Sequence, residues 1–153
     1  MELSVRPTDK KPLSLPQGVK PQLYQLSYTG FYGDATDLVE VAFADNKVYV
    51  SNPYSTGALQ WAEGAIKGNS VVFARQYLGP NESEGYHMFF VPGVYSETAP
   101  EYFDLADTLR FNYDNATKSL MATDLQSILI NVGDHRVFTA AAYINPSLSP
   151  YTA

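Results

Sequence analysis

Aromatic side chains in two segments with loop composition are the residues best suited to bind a ligand. Tyr95, Tyr102 and Phe103 lie in a long connection over residues 92–106, and Tyr54 lies in a Pro- and Gly-containing segment. Long connections in compact domains are commonly functional. Exposed aromatic rings beside hydroxyls and carboxylates can stack on a sugar ring and hydrogen-bond its hydroxyl groups. We therefore predict a ligand site at Tyr54, Tyr95, Tyr102 and Phe103; the alternative is that these rings pack as a lid over a β-domain.

Carboxylates offer a second chemistry, that of a hydrolase. A glycosidase needs two carboxylates about 5–9 Å apart on rigid elements. The acids here stand among Ser, Thr and Pro, where solvation keeps their ionisation ordinary, so an acidic surface is expected and a hydrolase is the third hypothesis. Calcium binding by the second group would use oxygen ligands, but EF-hand spacing is absent. The two groups are Glu82 and Glu84, then Glu97, Glu101, Asp104 and Asp107.

Metal and cofactor chemistry finds little support. The chain has no cysteine, and its two histidines, His87 and His135, have no partner at metal-ligand spacing. Glycine-rich phosphate loops and nucleophile elbows are also absent. We predict neither a metal site nor a cofactor, with His87 hydrogen-bonded inside a strand and His135 solvated in a turn.

The elements that must position these residues are strands. Apolar residues alternate with polar ones in Tyr24–Tyr28, Val39–Phe43 and Leu109–Tyr113, which is typical of strands with one buried face. Turn residues separate such runs and predict four hairpins, with turns at 44–47, 68–69, 114–117 and 133–135. The sequence therefore predicts an all-β fold: an antiparallel meander of about eight to ten strands, closing as an up-and-down barrel or a two-sheet sandwich.

Other segments carry further expectations. Residues 1–20 are predicted to be an extended Pro/Lys-rich lead-in, pinned to the body by Leu13, Leu15 and Val19, and residues 21–153 a single β domain. Residues 101–109 are the one stretch expected to form a short helical turn. Residues 145–150, with two prolines, are not expected to continue a strand in a sheet interior. Four strands are apolar on both faces, so they should lie centrally or be covered: 71–78, 86–91, 128–132 and 137–144.

Charge and hydropathy exclude some partners. The formal net charge is −6, which disfavours a nucleic acid, and no apolar run is long enough to form a membrane-spanning segment. The first residues lack the basic start and apolar run of a signal peptide. If a leader has been removed, the expected location is extracytoplasmic, in the periplasm or at the cell surface.

The chain resembles a β-rich domain of unknown function that recurs, often in tandem, in exported lipoproteins of gut Bacteroidetes. This resemblance implies an extracytoplasmic β-module and supplies no catalytic residues. The lipid-accepting cysteine of a lipoprotein is absent, so an anchor would require an upstream leader. The motifs are LSLPQG at 13–18, VEVAF at 39–43, KVYV at 47–50, WAEG at 61–64, VVFARQYLG at 71–79, FNYD at 111–114 and INPSLSPY at 144–151.

Three functions follow as hypotheses. The first is a non-catalytic binding or spacer module of a surface or secreted protein, with a glycan or a protein as ligand and with tandem or self-association as a further option. The second is a carrier whose barrel encloses a small apolar molecule, which requires a cavity of hundreds of Å³. The third is the loop-carboxylate hydrolase, acting through Glu101 or Asp104.

Overall fold

A computed structural model describes residues 13–54, 60–81, 86–98, 102–132 and 138–151, which form twelve strands of one antiparallel sheet. The strands are β1 (Gln22–Gly30), β2 (Gly33–Ala44), β3 (Lys47–Ser51), β4 (Trp61–Lys67), β5 (Ser70–Ala74), β6 (Gln76–Asn81), β7 (Tyr86–Tyr95), β8 (Phe103–Leu105), β9 (Thr108–Asp114), β10 (Ser119–Met121), β11 (Gln126–Val132) and β12 (Phe138–Pro150).

Eight of these strands close a barrel. The order β1-β2-β3-β4-β5-β9-β10-β12 returns to its start because β12 also pairs with β1. The other strands extend the sheet outside the ring, in the order β12-β11-β7-β6, with β8 on the second edge of β7. The predicted all-β, closed antiparallel architecture is confirmed.

Local turn chemistry makes the hairpins. Asp45 and Asn46 have φ of 50° and 65°, and Gly68 has φ of 63°, the left-handed conformations that two-residue hairpin turns require. The predicted hairpins β2–β3, β4–β5 and β9–β10 are all present. β11 and β12 pair as predicted, although their turn, with His135, lies outside the described residues.

The predicted return strand over residues 70–78 is divided. β5 ends at Ala74, and β6 leaves the barrel to pair with β7. At the branch, the Gln76 side chain replaces a neighbouring strand: its Oε1 accepts from the Glu63 backbone N–H at 2.7 Å, and its Nε2 donates to the Glu63 carbonyl at 3.0 Å. The chain therefore passes from the barrel strand β5 to the outer strand β6, and the backbone N–H and carbonyl of Glu63 in β4 remain hydrogen-bonded.

The expectation for residues 145–150 is wrong, because β12 runs through them between β1 and β10. Asn145 has φ of 50°, and the register of β1 against β12 shifts between Ser27 and Thr29. Pro146 lies in this irregularity, where its carbonyl accepts from the Ala122 N–H at 2.9 Å and no N–H is required of it. The bulge accommodates proline inside the sheet.

The helical turn expected within residues 101–109 does not extend past its start: Tyr102 is in a 3₁₀ turn, and the described residues after it are not helical. Phe103–Leu105 form the strand β8, with Phe103 opposite Tyr95 of β7. Phe103 is buried against Val91 and Leu129, and the edge of β7 supplies the hydrogen-bonding partners. Tertiary packing overrides a weak local preference here.

Three apolar clusters hold the layers together. The largest fills the barrel and includes one face of β7 and β11, with Met88, Phe90 and Ile130 fully buried or nearly so. On the opposite face of the same strands, Phe103 of β8 packs with Val91 of β7 and Leu129 of β11. On the outside of β2–β4, the lead-in contributes the predicted contacts of its three aliphatic residues with Ala42, Tyr49 and Trp61.

Candidate functional site

An aromatic surface forms where β7 ends and β8 begins. The Ser96 N–H donates to the Tyr102 carbonyl at 2.9 Å, which joins the end of β7 to the start of β8. Tyr102 has φ of 70°, an uncommon conformation for a bulky residue and one that costs about 1–3 kcal/mol. Its ring lies nearly parallel to that of Tyr95, at 14° and 6.5 Å between centroids, and 56% of the residue is exposed.

Phe103 anchors this pair, and the turn between β1 and β2 extends the surface. The buried Phe103 ring contacts Tyr95 edge-on at 5.7 Å and Phe31 at 6.3 Å. Phe31 is 58% exposed, and Tyr32 beside it is fully exposed. We call Phe31, Tyr32, Tyr95 and Tyr102, resting on Phe103, the aromatic platform.

Sequence reasoning missed Phe31 and Tyr32. The available signal was the sequence Gly30-Phe31-Tyr32-Gly33, in which two aromatic residues lie between glycines. Such a sequence favours a hairpin turn, and residues at the tip of a turn point their side chains outward. The contact of Phe31 with Phe103 could not be predicted from the local sequence, because it depends on the packing of the β1–β2 hairpin beside the outer strands.

A cleft of about 280 Å³ adjoins the platform. It lies where β12 has not yet paired with β1, because the first pair between these strands is Ile144 with Thr29. On the barrel side of the cleft, the rings of Tyr28 and Tyr143 meet edge-on at 4.6 Å. The cleft is lined by Tyr28, Gly30, Phe31, Tyr32, Gly33, Asp34, Ala35, Ala141, Ala142 and Tyr143.

The tyrosine hydroxyls of this cleft stay protonated at neutral pH. The Tyr28 hydroxyl donates to Asp37 Oδ2 at 2.8 Å. Burial, and then this hydrogen bond and the Asp37 charge, raise the pKa of Tyr28 to about 12. Burial also raises the pKa of Tyr143, followed by the effects of Tyr28, Asp37 and Tyr54. These groups are therefore suited to hydrogen bonding and not to acting as bases.

The structure brings together three of the four predicted site residues. Tyr54, 39% exposed, has its backbone N–H bonded to Asn52 Oδ1 at 3.0 Å and acts electrostatically on Tyr143. Among the described residues, Tyr54 makes no ring contact or hydrogen bond with Tyr95, Tyr102 or Phe103.

The other chemical candidates are placed as follows. Glu97, Asp104 and Asp107 are exposed, and no three His, Asp or Glu residues within the described ranges are grouped as a metal site would need. His87 Nδ1 lies 2.8 Å from the Tyr77 hydroxyl, so the expected hydrogen-bonded role is confirmed. The predicted acids Glu82, Glu84 and Glu101 fall outside the described residues.

Comparisons of the chain with protein families, with curated proteins and with solved structures found no match. The resemblance to a domain of exported Bacteroidetes lipoproteins therefore stays a prediction. Among the described residues, no helix is long and apolar enough to cross a membrane.

Proposed function

We propose that this protein is a non-catalytic, extracytoplasmic binding module of a surface or secreted protein, and that the aromatic platform binds a carbohydrate. The observation that carries the proposal is the nearly parallel, offset pair of Tyr95 and Tyr102, with Tyr102 more than half exposed. The exposed ring of Tyr102 offers an apolar face, and the C–H face of a pyranose ring is complementary to such a face.

Several contacts hold the residues of the platform in place. Phe103 holds both Tyr95 and Phe31 by edge-on contacts, and the backbone of Tyr102 is held by its hydrogen bond to Ser96. Side chains ordered before binding lose less conformational entropy when a ligand arrives. A strained, exposed tyrosine supported by buried neighbours is also a typical feature of functional sites.

Hydrogen-bonding groups flank the rings. Ser96 Oγ and Thr98 Oγ1 lie 3.1 Å apart next to Tyr95, and Thr29 Oγ1 donates to Asp34 Oδ1 at 2.8 Å beside the cleft. Hydroxyl and carboxylate oxygens of this kind can bond sugar hydroxyls while the rings provide stacking. This mixture favours a carbohydrate over a purely apolar ligand.

The barrel interior weighs against the carrier hypothesis. The space between Leu26, Phe90 and Leu148 amounts to about 10 Å³. The carrier hypothesis requires a cavity lined by Tyr24, Val41, Phe43, Phe73 and Phe111. Phe43 is partly buried, and the other four are each at most 1% exposed. A small apolar molecule would have to displace core side chains, which would disrupt close packing.

The test compares the wild-type protein with Tyr102→Ala and Tyr102→Phe on a glycan array, followed by calorimetry with the best binder. We expect Tyr102→Ala to weaken binding about tenfold, because the stacking surface is lost, and Tyr102→Phe to retain most of it. Tyr151→Ala is the matched control, since Tyr151 is also part-exposed but lies where β12 ends, beside the start of β1.

Two results would overturn the proposal. One is a wild-type protein that binds no glycan, in which case a protein partner for the exposed surface of Phe31, Tyr102 and Leu105 becomes the better hypothesis. The other is a Tyr102→Ala variant that binds as tightly as the wild type.

A further inference from the structure

A second pocket lies at the opposite end of the barrel from the platform. Because β2 runs from Gly33 to Ala44, the turn after it is a full strand length away from Phe31 and Tyr32. Three hairpin turns meet there, those of β2–β3, β4–β5 and β9–β10. Together they form the walls of a pocket of about 670 Å³ that is open to solvent. We call this the turn pocket; it is lined by Phe43, Ala44, Asp45, Asn46, Lys47, Ile66, Gly68, Asn69, Tyr113, Asn115 and Lys118.

Lys118 is held in this pocket by neutral groups. Its Nζ donates to Asn115 Oδ1 at 2.8 Å and to the Tyr113 hydroxyl at 3.4 Å, and lies 5.9 Å from the ring centroids of both Phe43 and Tyr113. Its carbonyl accepts from the Tyr24 hydroxyl at 2.8 Å. Within the described part of the chain no carboxylate lies within 4 Å of this ammonium. In a protein of net charge −6, a positioned cation without a carboxylate partner is notable.

Two other charged residues, Lys47 and Asp45, also line the rim of this pocket. Lys47 Nζ lies 3.3 Å from Glu63 Oε2 and is therefore paired with a carboxylate. Lys118 is the lining cation whose ammonium is not paired with a carboxylate within the described ranges.

Each of the three turns also contributes an asparagine. The Asn46 carbonyl accepts from the Ile66 N–H and the Asn69 carbonyl from the Tyr113 N–H, both at 2.8 Å, which holds these backbones in place. The side-chain amides of Asn46 and Asn69 make no hydrogen bond within the described ranges. An amide offers both a donor and an acceptor, the combination that neighbouring sugar hydroxyls require.

We propose that the turn pocket binds the carboxylate of an acidic sugar, a hexuronate residue, with Lys118 pairing the carboxylate and the Asn46 and Asn69 amides bonding ring hydroxyls. A single lysine suits a ligand group of one negative charge, and a charge-assisted hydrogen bond is about twice as strong as a neutral one. The overall negative charge disfavours polyanions of high charge density. This site is separate from the platform, so it does not depend on the function proposed there.

The test follows the side-chain amide signals of Asn46, Asn69 and Asn115 by ¹H–¹⁵N NMR. The probes are trisaccharides of galacturonate, glucuronate and guluronate, with neutral galactotriose for comparison. We expect at least one uronate to shift these signals, and galactotriose to bind at least tenfold more weakly. Lys118→Gln should weaken uronate binding about tenfold, because the charged partner is removed while the side-chain length is nearly kept.

Lys67→Gln is the matched control, since Lys67 is an exposed lysine of the neighbouring β4–β5 hairpin whose side chain does not line the pocket. Tyr102→Ala should bind uronates as the wild type does, which separates this site from the platform. The proposal is overturned if no uronate shifts the amide signals, if galactotriose binds equally well, or if Lys118→Gln binds like the wild type. Shifts produced only by a peptide carboxylate would overturn it in favour of a peptide ligand.

Discussion

Tyrosine has several different roles in this protein, and its surroundings decide which one. Tyr102 is exposed and strained on the platform, Tyr28 bonds a carboxylate at the cleft, and Tyr24 reaches from the core to the Lys118 carbonyl. Burial first, and then the neighbouring Tyr113, raise the pKa of Tyr24 to about 12. The same phenol is therefore a stacking surface at one site and a buried hydrogen-bond donor at another.

These shifts predict how stability depends on alkaline pH. For Tyr24 and Tyr28 the folded-state pKa of about 12 lies above the ordinary value of 10.0. Their stabilising contribution is therefore complete below pH 10 and is lost as the pH rises from 10 to about 12. We expect phenolate absorbance at 295 nm to appear in two phases, the later one together with loss of the β-sheet circular dichroism signal.

The matched variants are Tyr28→Phe and Tyr32→Phe. The first should reduce the pH dependence above pH 10 and lower stability at neutral pH by about 1 kcal/mol, through loss of the bond to Asp37. The second should change neither, because Tyr32 is fully exposed. Ionisation of all tyrosines near pH 10 with the fold intact would contradict the prediction.

At the scale of elements, each layer of the molecule depends on a cover that lies elsewhere in the chain. β7 and β11 are apolar on both faces, and Phe103 of β8 packs on the face turned away from the barrel. The outer face of β2–β4 carries Tyr49 and Trp61, which the lead-in covers. The short strand β8 and the lead-in are held in place by the apolar surface that they bury against the body of the protein.

The lead-in provides a direct test of this dependence. Replacing Leu13, Leu15 and Val19 together by serine should release it, because each of them is half-buried against the cluster of Trp61. We expect a red shift of tryptophan fluorescence and a loss of about 1–3 kcal/mol in the free energy of unfolding. Trp61 is the one tryptophan of the chain, so the emission reports on this face alone.

The control for the lead-in is Ser14→Ala with Gln17→Ala, two exposed positions of the same segment. The control should behave as the wild type in emission and in urea unfolding. Unchanged emission in the triple serine variant would show that the lead-in does not shield Trp61 in solution.

At the scale of the whole molecule, closure of the barrel depends on the end of β12. Tyr24, Leu26 and Ser27 pair with Pro150, Leu148 and Ser147, and Leu148 is also opposite Leu120 of β10. Ring closure removes exposed edges from two strands, β1 and β10. The pairing joins residues that are far apart in the chain, so forming it costs conformational entropy. The packing of the core offsets this cost.

Truncation after Ile144 should therefore abolish the cooperative fold. It removes the strand between β1 and β10 and the fully buried Leu148. We expect a protein without a cooperative urea transition and with reduced amide dispersion. Truncation after Tyr151 keeps every described pairing of β12 and should unfold like the full chain; a cooperative transition in the shorter protein would show that the remaining strands suffice.

The sequence by itself determined the strands and most hairpins, because alternation and turn chemistry act between neighbours in the chain. Asp45-Asn46 and Gly68-Asn69 impose their turns locally, and the alternation of Leu109, Phe111 and Tyr113 defines a buried face. Only the tertiary structure decided which parts of the chain meet: β5 beside β9, Pro146 within a bulge between β1 and β12, and Phe31 against Phe103. Several apolar strands satisfy a local pattern equally well, and the choice among them is made by packing the whole core at once.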